Sequence, residues 1–410
     1  MAIPTKTVLI SGASIAGPAM AFWLQKHGFH PVVIEQAGAV RGGGYPIDVR
    51  GIAVDVTERM GMLPELQAAR TRTRGITLVA ANGRPVRTMA TGVEEDEGSA
   101  GHDIELPRGD LTSVLYAHTR DDVEYIFDNS ITGIEQRADG VEVTFRRGEP
   151  RTVDVVIGAD GMHSNVRGLA FGAGERFHRP LGYYFAAFSV PNDLGLDHEA
   201  LVYNSPGKMV GLNAVRDDGR VLAIFGFASP PLEYDTRDIE QQWMLMEQTF
   251  AGVRWEAPRL LRLMREADDF YFDSAGQILM PGWTEGRVAL VGDAGYAPSL
   301  LSGQGTSLAL VGAYVLAGEL AAAGGDHRIA FPAYEREMRS YVKGNQRVAL
   351  VSARQLIPAT HAQIWMRNHA VRLPQLFARA NVLGKSIQQA ANSMSLRSYA
   401  PPGGYREEKC

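Results

Sequence analysis

Cysteine is nearly missing from this 410-residue chain: the only one is Cys410, the last residue. A disulfide framework and a cysteine metal site within one chain are therefore excluded, and a reducing, cytoplasmic setting is expected. Lysine is also scarce, found only at Lys6, Lys26, Lys208, Lys343, Lys385 and Lys409. Arginine supplies most of the positive charge, and the formal net charge is -5. That balance leaves no basic field for nucleic acid or an anionic membrane, so neither partner is expected. Histidines His102, His163, His178 and His361 lack metal-ligand spacing and read as surface or packing residues; no metal is expected. Uninterrupted apolar runs of membrane length are few. The run from Thr7 to Leu24 is broken by Gly12, Ala13 and Gly17 and leads into another strand-like run, unlike a signal peptide. The run from Thr306 to Gly324 carries Glu319 and several glycines, which favours a buried helix over a span.

The segments present alternate in character. Thr7-Val-Leu-Ile-Ser11 is a short β-branched run ending at glycine, as a buried parallel strand does. Residues 16–27 follow with apolar positions at helical spacing and stop at Gly28, before a second strand, Pro31 to Glu35. This is a βαβ unit with a right-handed crossover. Val153 to Gly158 and Arg287 to Gly292 read as further buried strands of the same layer, the latter leading to a helix over Thr306 to Ala323. Residues 75–90, 122–147 and 183–228 show shorter alternating runs with turn signals and are expected to be antiparallel. From about Pro332 to Leu396 the pattern is helical, broken near Pro358 and Pro374.

Three glycine motifs carry the chemistry. In the first, Gly12-Ala13-Ser14-Ile15-Ala16-Gly17 joins strand to helix, where backbone N–H groups can meet a pyrophosphate. Ser14 replaces the middle glycine of the usual dinucleotide fingerprint. Glu35, with Gln36 beside it, ends the next strand about 20 residues on, the place for a carboxylate that accepts ribose hydroxyls. The second motif runs from Gly158 through Asp160, Gly161 and Ser164 to Arg167. The third is Gly292-Asp293-Ala294-Gly295, followed by Gly303-Gln304-Gly305.

In this order the motifs resemble the class A, single-component flavoprotein monooxygenases, with the fold of para-hydroxybenzoate hydroxylase. The resemblance covers nearly the whole chain. It implies an α/β fold: a Rossmann-type FAD-binding layer built from separated segments, an inserted antiparallel-sheet substrate domain and a C-terminal helical segment. Residues 1–74, 100–180 and 280–330 would form the FAD domain, and 75–99 and 181–279 the substrate domain. Residues 331–396 would be helices bridging the two, and 397–410 a flexible tail. By the same resemblance, Gly12, Ser14, Ile15, Ala16, Gly17, Glu35 and Gln36 would hold the ADP half of FAD, with Arg108 reaching it from a helix start. Asp160, Gly161, Ser164 and Arg167 would lie near the pyrophosphate and the NADPH route. Gly292 and Asp293 would meet the ribityl or ribose hydroxyls, and Gly303, Gln304 and Gly305 the flavin's pyrimidine edge, where oriented amides suit negative charge. Arg41 and Asp48 belong to a loop beside the flavin.

Two positions depart from the family: Tyr296 stands where histidine is usual, and Leu300 where proline is. Both put the loop's path beside the flavin in question. The family chemistry uses NADPH or NADH and O2, and oxygen reaches the substrate from a flavin C4a-hydroperoxide; the sequence names no catalytic acid or base. The length resembles compact members that include the tetracycline-inactivating monooxygenases. An aromatic, polyketide or antibiotic-like small molecule is the expected partner, with the chain a monomer or weak homodimer. A flavin halogenase would need a tunnel lysine and a WxWxIP-type segment, and neither is present. An FAD-dependent dehydrogenase without oxygen transfer, and a flavin-bound protein that sequesters a drug or metabolite, remain the alternatives.

Overall fold

A computed structural model describes residues 6–40, 42, 45–90, 103–215, 218–236, 238–369 and 386–399. Its first layer is a six-stranded sheet in the order Thr284–Glu285, Val288–Leu290, Val155–Gly158, Thr7–Ser11, His30–Ile34, Glu124–Ile126. All neighbours are parallel except the first pair, an antiparallel edge. The central strands carry mostly buried aliphatic side chains, such as Val8, Leu9 and Ile10, as strands covered on both faces do. Helix Ala16–Lys26 packs on this sheet and against helix Gly305–Ala322, which is apolar on every side. By length and composition the latter helix meets the test for a membrane span, yet 83% of it is buried inside the protein.

The second layer is a seven-stranded sheet in the order Tyr271–Ile278, His178–Pro191, Arg220–Ala228, Lys208–Asn213, Glu199–Ser205, Gly75–Val79, Pro85–Ala90. Its pairings are antiparallel except where Glu199–Ser205 lies parallel to Gly75–Val79, joining two pieces far apart in sequence. Period-two alternation divides its residues between two cores. On one face Tyr184, Ala186, Phe188, Phe225 and Phe227 pack under helices Ile239–Phe250 and Ala257–Met264. Each such aromatic contributes roughly 1.5–3 kcal/mol by leaving water. On the other face Phe185, Met209 and Ala275 meet Leu301, Ala349, Ala353 and Ile357.

Several segments differ from the sequence expectation. The run from Val153 to Gly158 is two strands: Asp154 breaks it, accepting the Thr7 N–H at 2.8 Å. Residues 122–147 are not all antiparallel, since Glu124–Ile126 adds a parallel strand to the first sheet. The C-terminal helix starts at His327 and runs through Pro332 to Leu356, capped by Asp326. Its first half packs in the core of the first sheet through Tyr334, Met338 and Tyr341, and its second half reaches the other sheet through Ala349 and Ala353. Helix His361–His369 follows the break at Pro358; Pro374 lies outside the described residues. Residues 397–399, expected in a flexible tail, are docked: the Tyr399 hydroxyl donates to buried Glu319 at 2.8 Å and Arg397 pairs with it at 3.2 Å. A carboxylate inside an apolar helix needs such partners. Residues 400–410 lie outside the described residues.

Candidate functional site

The turn between the first strand and first helix is shaped by contact. Gly12 has φ +108°, and a Cβ on it would lie 2.5 Å from the Ala159 carbonyl oxygen. A Cβ on Gly17 would lie 1.8 Å from the Gly12 oxygen, so strand and helix close only if both stay bare. The helix that follows has Ile15 at its cap and no side chain satisfying its first amides. Those donors face outward, as an anion site at a helix N-terminus requires. Ser14, at the position of the missing glycine, accepts a hydrogen bond at 2.8 Å from Arg108 Nη2, the first residue of helix Arg108–Ala117. Glu35 accepts the Ala13 N–H at 2.8 Å and the Ala37 N–H at 2.9 Å, which fixes its carboxylate at the strand end.

The Gly292-Asp293 turn is wedged between two helices: a Cβ on Gly292 would stand 3.3 Å from Ala16 Cβ and 3.4 Å from Ala309 Cβ. Asp293 begins the short helix Asp293–Tyr296, and its carboxyl pKa is raised by burial, against the opposing pull of Arg108. Its Oδ1 is 3.6 Å from where a Cβ on Gly305 would be. Asp48 lies 3.2 Å from the Cβ position of Gly303 and pairs with Arg50 at 2.9 Å. Burial raises the Asp48 carboxyl and Arg50 lowers it. Gln304 caps helix Gly305–Ala322 with its side chain fully buried and both amide atoms without a partner among the described residues. A buried amide with neither end paired is costly in a finished protein and suits a polar ring edge placed against it. Gly12 to Gly17, Glu35, Asp48, Arg108, Gly292, Asp293 and Gly303 to Gly305 therefore converge on one cleft with two uncapped helix starts.

Other expected residues lie elsewhere or serve the frame. Asp160 accepts from the Ser164 hydroxyl at 2.5 Å and from the Asn165 and Val166 amides at 2.9 and 3.1 Å. Ser164 in turn caps its helix by accepting the Arg167 N–H. Arg167 is buried and donates to the Ala294 carbonyl at 2.8 Å and the Met162 carbonyl at 2.6 Å, bolting the second motif to the third. Gln36 is exposed beyond Glu35, and Gly161 takes a positive φ of +81°. Arg41 lies outside the described residues. Tyr296 points away from the cleft: its hydroxyl accepts from Tyr334 at 2.8 Å in the protein core, and its ring lies 4.7 Å from Trp283. Burial pushes its phenol up to about 12. Leu300 opens a 3₁₀ turn and packs toward the second sheet.

Four residues not singled out as site residues complete the cleft. The rings of Tyr45 and Tyr271 lie 5.8 Å apart, joining the two layers. The Tyr271 hydroxyl donates to Asp273 at 3.3 Å, and His163 approaches the same carboxylate at 3.4 Å. Tyr271 and Asp273 alternate along one strand and share a face, which was readable, but the partner of that face was not.

The cleft is that of a dinucleotide-binding flavoprotein, and comparison with known proteins agrees. The model of a family described as an FAD binding domain matches residues 5–347, and the chain belongs to that family. A flavin-dependent monooxygenase of an unknown prokaryotic organism is 38% identical over 397 residues, 96% of this chain and 98% of the relative. A flavin-dependent monooxygenase of Legionella longbeachae serogroup 1 (strain NSW150) is 41% identical over 345 residues, 83% of this chain and 87% of the relative. The crystal structure of tetracycline destructase Tet(55) matches with a TM-score of 0.85 at 38% identity, covering 97% of this chain and 100% of that one. The protein is accordingly an FAD-dependent monooxygenase.

Proposed function

We propose that the protein uses NADPH or NADH and O2 to hydroxylate a flat aromatic, polyketide or antibiotic-like molecule held between the FAD cleft and the seven-stranded sheet. The observation that carries this reading is the sheet face turned toward the cleft, where Phe185, Met209 and Ile224 meet Leu300 and Leu301. An apolar wall with few polar groups suits a large ring system. The destructase likeness supports the same size class.

The residues present fit FAD: two uncapped helix starts, a carboxylate at the strand end, and a buried amide without partners among the described residues. The amides of Ile15 to Gly17 would meet the pyrophosphate, and Glu35 the adenosine ribose. Asp293 would accept from a sugar hydroxyl, and Gln304 with the amides of Gly303 and Gly305 would face the ring edge. When bound, FAD supplies the passage of electrons from the nicotinamide to oxygen and of one oxygen atom to the substrate. The protein orients the substrate on the sheet and keeps water out with the apolar face and the Tyr45–Tyr271 contact. Asp160, Ser164 and Arg167 act in this scheme as the frame of the cleft. Residues 75–90 and 178–278 would then form the substrate layer, with the C-terminal helix tying it to the FAD layer.

The test is a panel of single-ring and fused-ring compounds, scored for stimulated NAD(P)H oxidation and for product mass. A product one oxygen heavier supports the reading. Oxidised product without that gain points to a dehydrogenase, and tight binding without turnover to sequestration; either result overturns the proposal.

A further inference from the structure

Apart from Gly182, which has φ +76° at a bulge, three glycines stand inside strands of the seven-stranded sheet with neighbours that differ. A Cβ on Gly276 would lie 2.0 Å from His178 Nε2, and one on Gly226 would lie 2.8 Å from the Phe185 ring and 2.9 Å from Ile357. Packing explains both. Gly211, in the middle of Lys208–Asn213, is different: a Cβ there would come no closer than 3.6 Å to any described atom, an ordinary contact. Its φ is not among the positive ones, so no turn requires it. Glycine weakens a strand interior, and where neither backbone nor packing calls for it, close approach of a ligand does.

Register places Gly211 on the face turned toward the cleft. It pairs with Ile224 and Val202; Ile224 pairs with Ala187, and Ala187 with Tyr271. Directly paired residues share a face, so Tyr271, Ala187, Ile224, Gly211 and Val202 form one row across five strands. Ile224 and Val202 belong to the core that contains Leu300. The row is low at Ala187 and Gly211, with Ile224 standing between them and Tyr271 and Val202 at its ends. Two residues beyond Gly211 on the same face, Asn213 has a buried side-chain oxygen with no hydrogen-bond partner among the described residues.

We infer that Gly211 is the floor of the substrate platform, on which a fused ring system lies flat, and that Asn213 accepts a hydrogen bond from a hydroxyl or amide at the far end of that ring system. This rests on the polycyclic reading above and names the residues that impose it. The missing side chain makes room for ring atoms in van der Waals contact with the strand, and the unpaired oxygen sets which edge of the ring is read.

The experiment uses the FAD-loaded protein and two fused-ring probes, tetracycline and alizarin, with dissociation constants measured by calorimetry. Gly211→Val should keep the melting temperature and FAD content of the parent while weakening the better probe at least about tenfold, since the added methyls occupy the ring's place. Asn213→Leu, similar in shape without the acceptor, should weaken it roughly threefold to tenfold. Unchanged binding by Gly211→Val overturns the platform while leaving the polycyclic reading intact. Loss of stability or FAD in Gly211→Val makes the glycine structural and also overturns it. If the parent binds neither probe, the polycyclic reading fails and takes the platform with it.

Discussion

Arg108 donates a hydrogen bond at 2.8 Å to Ser14, the residue that interrupts the glycine fingerprint. The serine is thus an anchor that holds a guanidinium from a second helix beside the glycine-rich turn. Restoring the fingerprint with Ser14→Gly frees Arg108. FAD affinity should fall roughly threefold to tenfold, the scale of one hydrogen bond to a charged group. Equilibrium titration of flavin-stripped protein checks this; equal or tighter binding would remove the anchor role.

Asp293 follows the Gly292 turn wedged between two helices, and burial raises its pKa. Asp293→Ala should cost FAD affinity about tenfold to a hundredfold, and desalted protein should emerge pale where the parent is yellow. Flavin content equal to the parent's would take Asp293 out of the site.

Tyr296 is accommodated by a glycine: a Cβ on Gly312 would lie 2.0 Å from its hydroxyl. Gly312→Ala should destabilise the fold by about 1–3 kcal/mol through overpacking. Adding Tyr296→Phe removes the clashing oxygen and should return part of the loss. Thermal melts of the single and double variants decide it, and no recovery would show that the strain lies elsewhere.

His163 and His178 oppose one another in pH dependence. The bond to Asp273 raises the His163 pKa, so its contribution is complete below the unfolded value of about 6.5 and fades as pH climbs through the higher folded value. Burial lowers the His178 pKa, so it penalises the fold once pH falls below about 6.5. Asp273→Asn should abolish the fall in melting temperature that the parent shows above about pH 6.5, measured in matched buffers. An unaltered slope would mean that the His163 contact, largely exposed, contributes nothing in solution.

Four strands of the first sheet, the two helix starts and the three glycine motifs were legible in the residues, because each is a local pattern of turn, period and missing side chain. That was enough to define the flavin layer and its family. What the sequence left open depends on register and docking. Residues 75–79 join 199–205 across more than a hundred positions, and no local pattern specifies that pairing. Arg167 and Tyr296 stand in or beside motifs, yet the packed structure turns both inward, to the Ala294 carbonyl and the Tyr334 hydroxyl. Tyr271 and Asp273 carry no motif, yet they meet Tyr45 and His163 because the two layers close there. The chain's local chemistry determined a glycine-rich strand-to-helix turn; only tertiary packing decided which neighbours surround it, because those contacts arise between segments whose separation in sequence holds no periodic signal.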